Sequence, residues 1–299
     1  MRVTLIGANG LLADSVGRYC NLHNHELTVW GLDKPSNHAY SSFVSVNLIS
    51  GSPDYLTLKY SDVIIYAVGA GIQSNLNESS DLIYNLNLYT PIRICNELDK
   101  INYEGTFITF GSYFEIGENF EDIKFNEQEL ANSQRNVPND YCVSKRMLTR
   151  FVNSKRHKYK HVHAVLPTIY GENESAHRLI PYTVKALKNG DELMFTSGNQ
   201  VRQYLYIDDV PQILFSLIKV DVTGVFNLPG NETFTVKELV RKIFDFYGKD
   251  YTDEIFGSVQ RADVGMVNLQ MSGLKLEEAV PNFPYSSFNE CLKRYDLCL

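Results

Sequence analysis

The chain reads as an α/β protein, a doubly wound parallel sheet followed by a smaller C-terminal α/β lobe. Three observations predict this. A glycine turn, Gly7-Ala8-Asn9-Gly10, joins a short apolar run to a helix-like stretch near the start. Short apolar runs then alternate with segments of helical spacing. One run, residues 62–68 (Asp-Val-Ile-Ile-Tyr-Ala-Val), is nearly all apolar, as a strand covered on both faces should be. At 299 residues the chain can bury one large core or two unequal lobes. The expected division places residues 1–165 in a dinucleotide-binding domain, with about 204–227 returning to its sheet. Residues 166–203 and 228–299 then form a substrate-binding lobe.

The elements come in order. Residues 3–6 form a first strand, and a helix over 11–22 comes after the glycine turn. A second strand over 27–30 ends near Asp33. Strand, glycine turn, helix, strand and acid make the Rossmann dinucleotide-binding unit. Gly7 permits the tight turn, and Gly10 lets backbone approach a pyrophosphate. The helix N-terminus adds free N–H groups and partial positive charge. Asp33 is placed to accept hydrogen bonds from the adenosine ribose hydroxyls, which favours NAD(H). Lys34 follows it and could meet a 2′-phosphate, so NADP(H) stays possible.

Residues 43–46 supply a third strand and 62–68 a fourth. Gly69-Ala70-Gly71 follows at the carboxyl end, where open α/β sheets bind ligands. Residues 79–98 have helical spacing, with Asn87 in the middle, either structural or on an exposed face. Residues 106–110 form a fifth strand, ending in Gly111-Ser112-Tyr113-Phe114. Beyond 166, helical spacing recurs at 177–188, 208–219 and 235–247, and 251–284 shows little pattern.

Tyr141-Cys142-Val143-Ser144-Lys145 falls on a helix predicted over 139–154. Residues four apart share a helix face, so phenol and ammonium enter the same space. A free tyrosine titrates near pH 10. A nearby lysine favours the phenolate, giving an acid–base pair usable near neutrality. Ser112, twenty-nine residues before Tyr141, is either a turn residue or a hydroxyl that holds a carbonyl oxygen against that phenol.

The glycine spacing Gly-x-x-Gly-x-x-Ala, with Ala13 for the third glycine, resembles the short-chain dehydrogenase/reductase family. So does the Ser112, Tyr141, Lys145 set. Leu166-Pro167-Thr168-Ile169-Tyr170-Gly171, Arg178-Leu179-Ile180-Pro181, the stretch from Val201 to Val210 and Gly224-Val225-Phe226-Asn227-Leu228 resemble its extended branch of nucleotide-sugar epimerases, dehydratases and 4-ketoreductases. The resemblance spans about residues 3–247. It implies Ser112, Tyr141 and Lys145 as catalytic residues. It implies cofactor contacts at Gly7, Asn9, Gly10, Leu11, Leu12, Asp33, Lys34, Ala67, Val68, Gly69, Asn87, Tyr141, Lys145, Pro167 and Ile169. Substrate contacts are implied at Ser112, Tyr113, Phe114, Arg178 and Arg202. Arg202 would pair with a diphosphate, its alternative being a salt bridge to Asp208 or Asp209.

The family's dehydratases carry Asp-Glu after the triad hydroxyl, to remove a C5 proton. Here those positions are Tyr113 and Phe114, which cannot do so. Ser112-Tyr113-Phe114 is instead similar to the Ser-Phe-Phe of CDP-abequose synthase-like 4-ketoreductases. Two other positions depart from the pattern, Val165 and Gln203. The implied activity is NAD(P)-dependent reduction of a 4-keto sugar on a nucleoside diphosphate. Alternatives are C4 epimerisation with the same residues and a non-catalytic dinucleotide-binding protein. The resemblance also implies a homodimer, through helices including 82–98 and 141–151.

A net charge of −7 argues against a nucleic-acid partner. No apolar run approaches the roughly 18 residues of a membrane span, and no basic-then-apolar leader opens the chain. The five cysteines show no CxxC pair and no evident zinc pattern. The expectation is a cytoplasmic protein without metal or membrane partner.

Overall fold

The computed structural model describes residues 1–51, 53–72, 76–259 and 265–298, with side chains through Tyr295. The side chain of Cys298 lies outside the described residues. The first half runs β1 (Arg2–Ile6), α1 (Leu11–Leu22), β2 (Glu26–Gly31), β3 (Ser42–Ser45) and β4 (Val63–Tyr66). A helical rod follows: α2 (Ser80–Tyr84), a π turn (Asn85–Tyr89) and α3 (Thr90–Lys100). Then come β5 (Thr106–Ser112), a single 3-10 turn (Tyr113–Ile116), α4 (Glu127–Ala131), α5 (Asp140–Ser154) and β6 (Lys160–Leu166). The second half holds β7 (Thr168–Tyr170), α6 (Leu179–Asn189), β8 (Val201–Tyr206), α7 (Asp209–Lys219) and β9 (Gly224–Asn227). It ends with β10 (Glu232–Thr235), α8 (Val236–Phe246), β11 (Asn268–Leu269), α9 (Leu274–Ala279) and α10 (Phe288–Cys298).

Seven strands form one parallel sheet in the order β3-β2-β1-β4-β5-β6-β9. This is the doubly wound arrangement, with its reversal of strand order between β1 and β4. β4 and β5 are buried along their whole length, and β6 from its second residue. Burying each Ile or Val there contributes about 1.5–3 kcal/mol. The edge strand β3 is mostly exposed. A smaller sheet pairs β8 with β7 and β11 in parallel and with β10 antiparallel.

The stretch 204–227, expected to rejoin the main sheet, divides. β9 pairs with β6 in the main sheet, and α7 packs on α1. Residues 204–206 instead belong to the small sheet. β7 leaves the main sheet directly after β6 and offers its edge to them in register, Thr168 with Tyr204 and Tyr170 with Tyr206.

Two helix starts position the site. Asn139 caps α5 by accepting from the Cys142 N–H at 3.0 Å. The π turn before α3 ends just ahead of Pro91. Proline has no N–H to give the Asn87 carbonyl, and its ring crowds that carbonyl, so the wider turn relieves both problems.

Candidate active site

A cleft of about 670 Å³ opens at the carboxyl ends of β1, β4, β5 and β6. Its floor is the glycine turn after β1. Gly7 has φ 115°, and a Cβ there would stand 3.2 Å from the Ala67 carbonyl, so only glycine lets the β1 and β4 exits approach so closely. Gly10 has φ 141°, and a Cβ there would meet nothing within 4 Å, so it faces open cleft. No side chain caps α1, so its first N–H groups, at Leu11 and Leu12, remain available beside that space. An uncapped helix N-terminus over a glycine cradle suits an anion such as a dinucleotide pyrophosphate. Ala13 is buried in the core under the helix, so its methyl fits in place of the third glycine.

Ser112, Tyr141 and Lys145 all line this cleft, as do Phe110 and Pro167. The Lys145 ammonium donates to the Phe110 carbonyl at 3.0 Å and lies 5.9 Å from the Tyr141 ring centroid. Burial pulls Lys145 down to about 8, and the Glu115 carboxylate opposes that shift. Burial likewise drives the Tyr141 phenol well above 10, while a hydrogen bond with Ser112 and the charge of Arg178 pull it back. The expected lowering of the phenol by Lys145 is therefore overturned. Desolvation of the hydroxyl outweighs the Ser112 hydrogen bond and the Arg178 charge, and the phenol stays protonated.

Glu115, missed in the sequence, completes the back of the site. It is fully buried and accepts from the Ser112 N–H at 2.6 Å and from Thr149 Oγ1 at 2.5 Å. Burial raises it to about 7. Thr149 Oγ1 lies 2.9 Å from His163 Nε2, whose Nδ1 lies 2.8 Å from Thr109 Oγ1. Gly111 makes room: a Cβ there would sit 2.7 Å from both Glu115 Oε1 and His163 Nε2. The signal was available, since Ser112 and Glu115 have capping-box spacing, and the box forms.

The other expected site residues divide. Leu11, Leu12, Asp33, Ala67, Val68, Gly69, Ile169, Phe114 and Arg178 line the cleft. Asn9 also lines it, and its amide ties down the loop beyond β2, donating to the Lys34 carbonyl and accepting from Ser36 N–H, each at 3.2 Å. Lys34 is exposed and outside the lining, so Asp33 alone of that pair faces the cleft. Asn87 does not line it. It is 1% exposed, not on an exposed face, and brackets Ala70 with two 2.9 Å bonds while donating to Ser144 Oγ. Tyr113 is fully buried with its hydroxyl on Thr168, out of substrate reach.

Arg202 is the largest departure. Its guanidinium donates to the carbonyls of Val201, Met266 and Val267 at 2.7–3.2 Å. It neither lines the cleft nor pairs with Asp208 or Asp209, which are held by Arg18 and Arg294 and by Ser286 respectively. The strand pairing of β11 with β8 brings those carbonyls to it. Arg178 supplies the cleft's guanidinium, paired with Glu174 at 3.0 Å and donating to the Ile169 carbonyl at 2.8 Å.

The sequence profile of the NAD dependent epimerase/dehydratase family matches residues 3–228. CDP-abequose synthase from Yersinia pseudotuberculosis is 23% identical over 260 residues, covering 80% of this chain and 82% of that protein. UDP-glucose 4-epimerase of Thermus thermophilus, solved with NAD, aligns with a TM-score of 0.80 at 16% identity, covering 99% of this chain and 98% of that one. DesIV, the dTDP-glucose 4,6-dehydratase of Streptomyces venezuelae, solved with NAD and TYD, gives 0.81 at 16% identity, covering 99% and 96%. These structural likenesses establish the shared fold. No helix among the described residues is long and apolar enough to cross a membrane.

Proposed function

The chain belongs to the NAD dependent epimerase/dehydratase family, and from that premise we propose that it reduces the 4-keto group of a deoxysugar carried on a nucleoside diphosphate. The observation that carries this reading is the pair of residues directly after the catalytic hydroxyl. Behind Ser112 come Tyr113, buried on Thr168, and Phe114, an apolar wall of the cleft. Elimination of water needs a carboxyl group there to take the C5 proton. Glu115, next in line, faces away and is spent on Ser112 N–H and Thr149. The acids lining the cleft among the described residues are Asp33 and Glu174, and Glu174 is held by Arg178 and Tyr295. The likeness to CDP-abequose synthase supports a nucleotide-linked sugar as substrate.

A bound reduced nicotinamide would supply the hydride to the sugar C4. The chain does the rest. Ser112 holds the C4 oxygen, and Tyr141, kept protonated by its burial, gives its proton to that oxygen as negative charge develops. The product is the 4-hydroxy sugar, and the phenolate regains its proton from solvent or from Lys145. Lys145, fixed on the Phe110 carbonyl, stands beside the phenol where it would also hold the nicotinamide ribose. Arg178 is the cation we assign to the diphosphate, in place of Arg202. Asp33 in the lining, with Lys34 outside it, supports NAD(H) over NADP(H).

The outer face formed by the π turn, α3 and α5 supports a homodimer. Tyr89 and Met147 are 54% and 45% exposed there, beside a shallow depression that includes Leu88, Ile92 and Phe151. The four cysteines with described side chains are free and buried, which suits a reducing, cytoplasmic setting.

The test is to supply a nucleoside diphosphate-linked 4-keto-6-deoxyhexose with NADH. One NADH should be oxidised for each 4-hydroxy sugar formed. Inversion at C4 of a 4-hydroxy nucleotide sugar without net NADH consumption would favour the epimerase instead.

A further inference from the structure

At the amino-terminal end of β6, on the side of the sheet away from the cleft, three donors converge that the proposed reaction does not use. They are Cys95 Sγ from α3, His161 from β6 and His157 from the loop before it, all within 4.8 Å of one another. We propose that Cys95, His157 and His161 form a binding site for one divalent d-block cation of the zinc type, with Asp99 and Thr109 as the supporting shell.

The hydrogen bonds orient both imidazoles toward the same point. His157 Nδ1 lies 3.0 Å from Asp99 Oδ2, so it carries the proton and donates it. That leaves a lone pair on His157 Nε2, which is buried without a partner. The side chain itself is 1% exposed. A buried lone pair with nothing to accept is costly unless something occupies it. His161 is set from the other side. With Glu115 ionised, Thr149 donates to it, His163 Nε2–H donates to Thr149, and Thr109 donates to His163 Nδ1. Thr109 then accepts from His161 Nε2–H at 2.9 Å, which leaves the His161 Nδ1 lone pair facing Cys95 Sγ at 3.9 Å. Two lone pairs thus meet one S–H. A cation that displaces the thiol proton satisfies all three at once.

A carboxylate behind one ligating histidine and a hydroxyl behind the other are the outer contacts that metal-bound imidazoles use. One thiolate and two imidazoles suit zinc, with water at the fourth position. Bonds of about 2.0–2.3 Å place tetrahedral donor atoms roughly 3.3–3.6 Å apart. The triad therefore closes on a cation with inward movements of about 1.5 Å or less, shared between side chains. Tyr159, stacked on His157 at 4.7 Å, donates its hydroxyl to the Cys95 carbonyl at 3.3 Å and so walls the triad on that side. The sequence signal was the His-x-x-x-His spacing of 157 and 161, which the absence of a cysteine pair hid.

The test is to titrate the reduced full-length protein with cobalt(II) and record its absorption spectrum. Wild type should take up one equivalent and show thiolate-to-cobalt charge transfer with tetrahedral d–d bands, both abolished by zinc(II). Cys95→Ala should lose the charge-transfer band. His157→Gln should weaken binding at least 100-fold, and Asp99→Asn by about 10–100-fold. Circular dichroism checks that each variant folds. His157→Gln, in a loop, keeps the test decisive if Cys95→Ala does not fold. No charge transfer in wild type, or a band that survives either Cys95→Ala or His157→Gln, overturns the proposal.

Discussion

Glu115 is a fully buried carboxyl directly behind the catalytic hydroxyl. Burial raises it from 4.5 to about 7. A carboxyl raised in the folded state contributes stability that is full below its unfolded pKa and lost as pH rises through the folded one. The Glu115 contribution to stability should therefore fall between about pH 4.5 and 7, against the rise contributed by the buried, neutral His161 and His163. Glu115→Gln should remove that falling component, so that its stability rises more steeply with pH than that of wild type. Chemical unfolding at the two ends of the range checks this, and an unchanged slope would mean that Glu115 is not the group titrating. Asp33 bears on cofactor choice. NADH should bind more tightly than NADPH in fluorescence titrations, and Asp33→Ser should narrow or reverse the gap. Tighter NADPH binding by wild type would mean that Asp33 points elsewhere. At this scale the local motifs were readable in the sequence: Gly7, Gly10, Ser112, Tyr141 and Lys145 line one cleft. Long-range partners were not. Nothing in the sequence near Arg202 announces carbonyls arriving from residues 266 and 267, some sixty-five positions on. Nor does spacing reveal that burial would keep the Tyr141 phenol protonated.

Among the elements, the rod α2–α3 was legible as a helix from its periodicity, whereas the π turn inside it was not. Periodicity cannot register one extra residue per turn, although Pro91 was a visible cue. The consequence is Asn87, turned inward to hold both polar groups of Ala70 at the rim of the cleft. Asn87→Ala should leave those backbone groups unpaired and lower stability by about 1–3 kcal/mol, read by thermal unfolding. NADH affinity should fall with it. A variant as stable as wild type would show that water replaces the side chain fully. The boundaries of α5 were read to within a residue because Asn139 is a strong cap. Residues 204–206 join the small sheet and not the main one, a choice that a short strand with an apolar inner half leaves open. Only pairing with β7 and β10 decides, and those contacts are not local.

At the scale of the molecule, the parallel sheet was legible because every one of its inner strands is a short apolar run between helical segments. The small sheet was not, since its strands are short and two of them barely alternate. The exposed face of α3 and α5 carries the quaternary expectation. Met147→Glu should shift the protein from dimer to monomer in sedimentation analysis, and a monomeric wild type would remove the proposal. In the proposed reaction this chain transfers a proton through Tyr141 as hydride reaches a sugar C4. It is tested most directly by single-turnover reduction of a nucleoside diphosphate-linked 4-keto-6-deoxyhexose, comparing wild type with Tyr141→Phe. The expected result is NADH binding nearly unchanged and turnover lowered at least about a hundredfold, the scale of a lost general acid. Turnover near the wild-type rate in Tyr141→Phe would contradict it.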